Sequence, residues 1–502
     1  MARKTNYKKT TLSGLIWKVI ERMGAQLIST VVSIILARIL VPEDYGVVAL
    51  TTIFISIANV FVNSGFGSAL VQKKDSDDLD FSSIFYTGLF VSLLLYALLF
   101  FASPYIANWF EEPLLKPILR VVGLQLPLSA LSSVQSAYIS KNFLFRKTLL
   151  STLLGTIISA VVGIWMAYAG YGPWALVAQH LTVLLVGQIV LLITVKWRPK
   201  LQYSFKRTKA LFGYSWKLLG SSLLDVGYNE LRGIIIGKKY SSVDLAYYNK
   251  GKTLPSLIGD NLNAPINAVL FPVMSAEQDD TARVKQMTRR SIKTSSYLLF
   301  ALLAGMAAVS PVAVPVIFTD KWNEMIPYMQ MMCFVCAIRP IQIANLQAIK
   351  ALGRSDLFLK LEIIKKVYGL IILVISMWFG VFWIVVGSVI SAIISSIVNS
   401  FPNKKLLNYS WLEQMKDILP YFGLALLMGA PVYAMNYLYL SLNWNMYLVL
   451  VLQVLVGAIL YVGFSMLFRI ETFRYLLNTI KEVFSKKKAE KNNNVSEQKI
   501  TE

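Results

Sequence analysis

Charged residues are scarce in this sequence. Only 15% of its 502 residues are Asp, Glu, Lys or Arg, whereas a soluble globular protein has roughly 25%. Histidine occurs once, as His180, and cysteine twice, as Cys333 and Cys336 in the stretch "CFVC". No second ligand cluster accompanies the cysteines, so we interpret them as buried thiols and expect neither a metal site nor a cofactor.

Long apolar runs make up most of the chain, and 56% of its residues are hydrophobic. Runs of about 20 residues are long enough to cross a bilayer. They must be helical, because lipid offers no hydrogen-bond partner to an open backbone. The sequence predicts an all-α integral membrane protein with fourteen transmembrane helices, near 12–40, 45–67, 82–107, 115–139, 149–169, 173–195, 211–236, 245–272, 294–318, 325–349, 357–378, 382–401, 418–440 and 446–468.

The net charge of +22 is spread unevenly. An even number of helices leaves both termini on one side, and most loop Lys and Arg residues lie there. The opposite loops contain only Lys116, Lys238, Lys239 and Lys321. The positive-inside rule predicts a multi-pass protein of the cell membrane with both termini in the cytoplasm. The charge also favours anionic lipids of the inner leaflet as partners, and no nucleic acid is needed to explain it.

The two ends of the chain carry simpler signals. The basic start "MARKTNYKK" leads into a segment too long for a signal peptide, so we expect the first helix to be retained. Near the other end, one helical face is apolar, which is typical of an interfacial helix on the cytoplasmic surface. That face carries Phe473, Leu476, Leu477, Ile480, Val483 and Phe484. Beyond Ala489 the polar composition predicts disorder.

A weak internal repeat indicates gene duplication. "SGLIWK" (13–18) returns as "FGYSWK" (212–217), and the matches that follow keep the same order along the chain: Asp44 with Asp244, Ser103-Pro104 with Ser310-Pro311, and Pro127 with Pro340. Six helices per copy imply two parallel halves, as in some transporters, with a site between them. The predicted divisions are two six-helix bundles, 1–200 and 201–405, an extra helix pair, 406–470, and a cytoplasmic amphipathic helix with a basic tail, 471–502.

Polar side chains form stripes on four of the predicted helices at spacings of three and four residues, which place them on one face. The stripes comprise Lys18, Arg22, Gln26, Ser29 and Ser33 in the first helix; Thr52, Ser56, Asn59 and Asn63 in the second; Lys217, Ser221, Asp225, Tyr228 and Arg232 in the seventh; and Asn249, Thr253, Ser256, Asp260, Asn263 and Asn267 in the eighth, flanked by Lys250 and Lys252. Arg339 lies well inside the tenth helix.

Ionisable residues inside a membrane mark sites or pathways by default, so the stripes predict a central aqueous cavity rich in cations. Its substrate-binding cations would be Lys18, Arg22, Lys217, Arg232, Lys250, Lys252 and Arg339, and its polar lining Gln26, Asn59, Asn249, Ser256, Asn263 and Asn267. Lys18, Arg22, Lys250 and Lys252 could instead reach the headgroups as anchors. For Asp225, Asp260 and Arg339 the alternative is a structural ion pair. Asp260 and Asp225 are the candidates for ion coupling, Asp260 foremost.

The stretches "GLIWKVIERMGAQLISTVVSIILARILVPEDYGVVAL" (14–50), "GFGSALVQKKD" (65–75) and "NAVLFPVMS" (267–275) resemble the Wzx-type polysaccharide-export flippases. These are WzxC/TuaB-like members of the multidrug/oligosaccharidyl-lipid/polysaccharide (MOP) superfamily. The resemblance covers about residues 10 to 470. It implies two six-helix bundles around a cavity, alternating access, and an undecaprenyl-pyrophosphate-linked oligosaccharide as cargo. It also implies that cavity cations engage the anionic head group.

Three classes of function compete. The first is a lipid-linked oligosaccharide flippase, with H⁺ or Na⁺ as candidate coupling ions and a polysaccharide polymerase and export proteins as candidate partners. The second is a MATE-type antiporter of drugs or metabolites, which would favour an acidic or aromatic cavity. The third is a membrane enzyme, but the outer loops are short and no nucleophile–base constellation is present. No glycine-rich phosphate loop points to ATP. We therefore expect a transporter, with no catalytic residues.

Overall fold

In a computed structural model, the backbone is described for residues 2–482 except 64–66, 68, 71, 72, 74, 143, 443 and 480. Side chains at 2–16, 18–20, 214, 265, 267, 268, 439 and 440 lie outside the description as well. The regular structure of the described chain is entirely helical. Its residues cluster into two compact units, which we call unit 1 (Met1–Asn249 with Ile317–Trp322) and unit 2 (Lys250–Val316 with Asn323–Glu502).

The helices of unit 1 follow the predicted segments closely. They are α1 (Ala2–Ile39), α2 (Pro42–Asn63), α3 (Asp78–Phe110), α4 (Leu115–Val122), α5 (Gln125–Lys141), α6 (Phe145–Tyr168), α7 (Pro173–Thr194) and α8 (Phe205–Lys239). The next helix, α9 (Ser242–Ala276), crosses from unit 1 into unit 2.

Unit 2 contains the remaining described helices. They are α10 (Thr281–Phe318), α11 (Ile326–Ala351), α12 (Ser355–Ser376), α13 (Val381–Leu406), α14 (Trp411–Ala434), the short α15 (Asn436–Leu440) and α16 (Met446–Leu467), with a 3₁₀-helix at Asp320–Met325. A further helical stretch covers 471–479. There Thr472 bonds Tyr421 at 2.7 Å, and Phe473 and Leu476 pack against the core of unit 2. The predicted positions Ile480, Val483 and Phe484, and the tail, lie outside the described residues.

Eleven stretches of the described chain are long and apolar enough to cross a membrane. Three helices of comparable length, α8, α9 and α12, do not meet that measure. They carry charges along their length, such as Asp225 in α8 and Asp260 in α9. The protein is thus an all-helical, multi-pass membrane protein. Two of the three helices below the hydropathy measure, α8 and α9, carry the most charged of the predicted stripes.

The predicted fourth segment is not one helix but two, α4 and α5, and Pro127 explains the difference. Proline has no amide hydrogen, so Pro127 cannot donate to the carbonyl oxygen of Gly123 four residues earlier. That oxygen accepts instead from the N–H of Leu126 at 3.0 Å, in a tighter turn. The continuous helix expected at 115–139 is therefore interrupted between Val122 and Gln125.

The repeated Ser-Pro pair lies inside α3 and α10, where a proline within a helix favours a bend. Pro104 leaves the carbonyl oxygen of Phe100 without its usual helical donor, and Ser103 Oγ donates to this oxygen at 2.7 Å. From the following helix, Arg120 Nε donates to Ser103 Oγ at 2.9 Å. The carbonyl oxygen that the proline leaves without a helical donor thus accepts from a serine hydroxyl, and a side chain of the next helix donates to that hydroxyl.

The bend in α10 repeats this arrangement with different residues. Pro311 frees the carbonyl oxygen of Ala307, and Ser310 Oγ donates to it at 2.8 Å. Gln330 Nε2, on α11, donates to Ser310 Oγ at 3.0 Å. The two Ser-Pro sites thus share one hydrogen-bond pattern.

The starts of α2 and α9 also match across the repeat and lie against each other within unit 1. Asp44 and Asp244 both sit in the first turn of their helix. Gly46 allows the close approach, because a Cβ there would lie 2.4 Å from the carbonyl oxygen of Ser242. The segment Ile317–Trp322 joins the same end of unit 1, where Trp322 is fully buried and donates Nε1–H to the carbonyl oxygen of Ala37 at 2.8 Å.

Candidate functional site

A cavity of about 610 Å³, lined by both apolar and polar side chains, lies inside unit 1 among α1, α2, α5, α6 and α7. We call it the unit 1 cavity. Its hydroxyl-bearing lining consists mainly of Ser29, Thr52, Ser56, Ser129, Thr156 and Ser159. Side-chain amides and a ring nitrogen come from Asn59, Gln125, Gln179 and His180. Thr52 and Ser56 lie halfway along α2, and Thr156 and Ser159 halfway along α6, so the cavity sits at mid-length of its helices.

The unit 1 cavity has a lining without formal charge. None of the described residues around it is Asp, Glu, Lys or Arg. His180 Nε2 forms a hydrogen bond with Gln125 Oε1, which links α7 to α5. At one end, Tyr45 lines the cavity and meets Trp322 edge-on, with ring centroids 5.2 Å apart. The volume falls in the range of sites for small molecules.

Most of the hydroxyl groups donate their hydrogen to their own helix. Thr52 and Ser56 donate to the carbonyl oxygens four residues earlier, at 2.9 Å and 2.7 Å. Thr156 does the same at 2.7 Å, and Ser159 donates three residues back at 2.9 Å. A hydroxyl has one hydrogen to donate and two lone pairs, so these four oxygens can only accept from a ligand in the cavity.

The residues of the predicted stripe on α1 have different surroundings. Ser29 lines the unit 1 cavity, whereas Gln26 forms a weak bond to Thr30 at 3.4 Å and is not among the lining residues. Arg22 is exposed. The side chain of Lys18 lies outside the described residues.

Glu21 borders the predicted stripe of α1, but the donors to its carboxylate oxygens lie on another helix. These oxygens accept hydrogen bonds from Thr148 Oγ1 at 3.0 Å and Thr152 Oγ1 at 2.8 Å on α6. This carboxylate therefore joins α1 to α6.

The α8 stripe is largely exposed. Lys217 and Asp225 are exposed, and Arg232 is half-buried, with its guanidinium 5.7 Å from the centre of the Tyr228 ring. None of them lines the unit 1 cavity. Of the α2 stripe, Asn59 does line it. Asn249 and Lys250, in α9, are half-buried.

In unit 2 the two deepest predicted charges meet. Arg339 Nη1 donates to Asp260 Oδ1 in an ion pair between α11 and α9. The protein does not fully cover the pair, because the side chain of Arg339 is 35% exposed and that of Asp260 is 58% exposed. One helical turn from Asp260, Ser256 Oγ is 4.0 Å from Cys336 Sγ.

Three other predicted residues of α9 differ in their surroundings. Lys252 is exposed. Asn263 is buried and donates to the carbonyl oxygen of Gly259 at 2.8 Å, so its amide nitrogen is engaged within its own helix. The side chain of Asn267 lies outside the described residues.

Several residues of the unit 1 cavity were not predicted as site residues: His180, Gln125, Gln179, Ser129, Thr156 and Ser159. They lie on α5, α6 and α7, where polar residues are sparse and do not form a long stripe. The clearest available signal was His180, since a lone histidine in an apolar run needs a polar partner.

A helical membrane protein with a partly polar cavity at mid-length of its helices has the architecture of a transporter. The family model described as "Polysaccharide biosynthesis protein" matches residues 35–327, more than half of the chain. The chain belongs to this family of polysaccharide biosynthesis transporters, which are not enzymes, and the resemblance to the Wzx-type flippases is confirmed.

Two relatives and one solved structure illustrate the likeness. The succinoglycan biosynthesis transport protein ExoT of Rhizobium meliloti (strain 1021) is 26% identical over 315 residues, which cover 62% of this chain and 64% of that protein. The lipopolysaccharide biosynthesis protein WzxC of Escherichia coli (strain K12) is 23% identical over 369 residues, covering 71% and 73%. The lipid II flippase MurJ, in its inward closed conformation, superposes with a TM-score of 0.72 at 16% identity, covering 93% of this chain and 100% of that chain. The last match shows the fold alone.

Proposed function

We propose that this protein is a flippase that moves undecaprenyl-pyrophosphate-linked oligosaccharide across the cytoplasmic membrane. The cargo would serve export of a cell-surface polysaccharide of the capsule, exopolysaccharide or teichuronic type. One observation carries the proposal: Asp260 and Arg339 form a partly exposed ion pair near the middle of two long helices. Exposed charges at that depth are costly against lipid, so they favour an aqueous pathway.

The cation of this pair suits the head group of the proposed cargo. Arginine presents a planar fork of donors that matches phosphate oxygens. A pyrophosphate could replace Asp260 as the partner of Arg339, with Lys252 as an exposed second cation on α9. Further cations proposed along the pathway are Lys18, Arg22, Lys217, Arg232 and Lys250, with Gln26, Asn59, Asn249, Ser256, Asn263 and Asn267 as polar lining.

Asp260 is the proposed ion-responsive group, with Asp225 as the second candidate. A carboxylate that loses its arginine to the cargo becomes able to bind H⁺ or Na⁺. Binding of the ion at Asp260 would weaken its hold on Arg339 and favour the cargo-bound state. Cargo transport would thus be coupled to the ion gradient because Arg339 exchanges Asp260 for the cargo while Asp260 exchanges Arg339 for the ion. Such a ligand-dependent exchange can shift the protein between its two alternating-access states.

The proposed arrangement comprises fourteen transmembrane helices in two six-helix bundles and an extra pair, with cytoplasmic termini. The matched bends at Ser103 and Ser310 support the repeat. Polymerase and export proteins are proposed partners. The alternative, a MATE-type antiporter of drugs or metabolites, draws support from the exposed carboxylate of Asp260, which could receive a cationic drug.

Reconstituted vesicles test the proposal directly. Undecaprenyl-pyrophosphate-linked oligosaccharide is placed in one leaflet, and its arrival in the other is measured with an impermeant glycan-degrading enzyme. Wild-type protein should translocate the cargo well above empty vesicles. Absence of cargo movement, together with gradient-driven uptake of a cationic dye, would show the antiporter instead.

Variants of the ion pair separate cargo binding from structure. Arg339→Ala should abolish translocation with normal protein levels, because the partly exposed Asp260 tolerates loss of its partner. In the swapped variant Asp260→Arg/Arg339→Asp, the pair can reform, yet cargo movement should stay impaired because the cation sits on the wrong helix. Full recovery in the swapped variant would indicate a purely structural pair. Asp260→Asn should remove any dependence on an imposed H⁺ or Na⁺ gradient.

A further inference from the structure

The unit 1 cavity offers hydrogen-bond acceptors to a ligand, without compensating charge. The oxygens of Thr52, Ser56, Thr156 and Ser159 have already donated their hydrogens to their own helices. Gln125 Oε1 faces His180 Nε2. A ligand that fills this space should therefore bring hydrogen-bond donors.

The absence of charge around the cavity restricts the class of ligand. Phosphate and carboxylate groups carry negative charge, and none of the described lining residues is Lys or Arg, so an anion in this space would lack a counter-charge. A cation would lack a counter-charge, because no Asp or Glu is among the described lining residues either, and an unpaired charge in such a site is costly. An apolar chain would suit the valine, isoleucine and leucine side chains of the lining but would leave the lone pairs of the hydroxyl oxygens without a donor.

A neutral molecule rich in hydroxyl groups meets all of these conditions. We propose that the unit 1 cavity is a subsite for uncharged sugar residues of the transported glycan. This inference rests on the proposed function, and it assigns the sugar and the pyrophosphate to different sets of residues. Sugar hydroxyls donate to the threonine and serine oxygens of α2 and α6, and accept from the amide of Gln179 on α7.

The rate at which a reagent modifies a cysteine placed in the cavity shows whether a solute occupies the cavity, and this measurement needs no transport. Ser129 lines the cavity, and the native Cys333 and Cys336 are buried, so the parent protein provides the background. Full-length Ser129→Cys protein is held in lipid nanodiscs, because maltoside detergents carry a disaccharide. The rate of modification by a small methanethiosulfonate reagent is measured with and without added solutes: neutral hexose disaccharides, inorganic pyrophosphate, sodium chloride and tetraethylammonium.

A pair of adjacent threonines provides a matched control. Thr51 and Thr52 both donate to the carbonyl oxygen four residues earlier, at 3.0 Å and 2.9 Å. Thr52 lines the cavity, whereas Thr51 is fully buried and does not. Replacement of either by valine removes the same intrahelical bond, but only Thr52→Val removes an acceptor from the cavity.

We expect disaccharides to slow modification of Ser129→Cys in a saturable way, and the other solutes to leave it unchanged. Thr52→Val and Thr156→Val should each raise the half-protecting sugar concentration by about threefold to tenfold, the effect of one hydrogen bond. Thr51→Val should not change it. Protection by pyrophosphate, sodium or tetraethylammonium alone, protection by none of the solutes, or equal shifts for Thr51→Val and Thr52→Val would each overturn the inference. Translocation in the vesicle assay would still stand in those cases, so the two proposals fail separately.

Discussion

At the scale of single residues, the role of each charge depends on its partner rather than on its position in a stripe. Glu21 borders the cationic stripe of α1, yet two threonines of α6 hold its carboxylate. Asp260 and Arg339, on different helices, hold each other. Neither partnership can be read from helical spacing, because spacing gives the face of a helix and not the neighbour that meets it.

Outside the membrane-spanning segments, Asp77 illustrates how a partner changes the chemistry of a carboxyl group. Asp77 precedes α3, and Arg207 Nη1 donates to its two oxygens at 2.6 Å and 2.7 Å. This bond, aided by the backbone N–H of Asp80, lowers the pKa of Asp77 to about 2 from its usual 3.8.

The lowered pKa predicts a pH-dependent contribution to stability. Ionised Asp77 is favoured in the folded state, so its stabilising effect is complete above pH 3.8 and is lost as the pH falls through about 2. Asp77→Asn keeps a helix-capping side chain but removes the charge. Wild-type protein should exceed it in unfolding free energy by about 0.2–1 kcal/mol at pH 6, since the pair is exposed, and by much less near pH 2. Thermal unfolding across that range measures the difference; a gap that is the same at both pH values contradicts the prediction.

At the scale of secondary-structure elements, proline decides where helices bend or break and which side chains are recruited. In α3 and α10 the freed carbonyl oxygens are bound by Ser103 and Ser310, with Arg120 and Gln330 supplying a second donor from the next helix. The sequence shows the repeated Ser-Pro pair, but not the donors, because Arg and Gln differ between the copies.

The bend in α3 predicts an energetic coupling between Pro104 and Arg120. Arg120→Met removes the guanidinium that donates to Ser103 Oγ and to the carbonyl oxygen of Phe100. This change should lower the unfolding free energy by about 1–3 kcal/mol. Pro104→Ala restores an N–H that can bond Phe100, so Arg120→Met should cost less in that background. Thermal unfolding of the four proteins in detergent gives the coupling energy. Strict additivity of the two effects would rule out the proposed role of Arg120.

At the scale of the whole molecule, charge asymmetry predicts orientation. The excess of Lys and Arg in loops on the side of the termini favours a cytoplasmic location for both ends. The loop around Leu201 would then face the cytoplasm, and that around Ser441 the outside. Both positions are accessible, because Ser441 is exposed and Leu201 is 95% exposed.

Cysteine labelling in intact cells tests this orientation. Ser441→Cys should react with a membrane-impermeant maleimide, and Leu201→Cys should react only after the cells are permeabilised. The native Cys333 and Cys336 should contribute little, because both are buried. The reverse labelling pattern would invert the predicted topology.

Much of the architecture follows from composition and periodicity. Runs such as 173–195 and 446–468 reappear within a residue or so as α7 and α16, because lipid leaves a long apolar segment no alternative to a helix. Hydropathy does not show the break between α4 and α5, because the apolar run continues through Pro127. It does not show helix ends such as 281–293 of α10 either, because polar residues beyond the membrane continue a helix without a hydropathy signal.

The sequence by itself determined the class of this protein, since scarce charge and repeated apolar runs admit only a helical membrane protein, and its family, through stretches such as 14–50. Tertiary structure alone decided the partners of the polar groups. Asn59 is predicted to line a cationic cavity, yet the described residues around it carry no formal charge, because the polar neighbours supplied by α5, α6 and α7 are hydroxyls, amides and His180. Hydrophobic periodicity specifies which face of a helix is polar, whereas packing between helices distant in sequence specifies what that face meets.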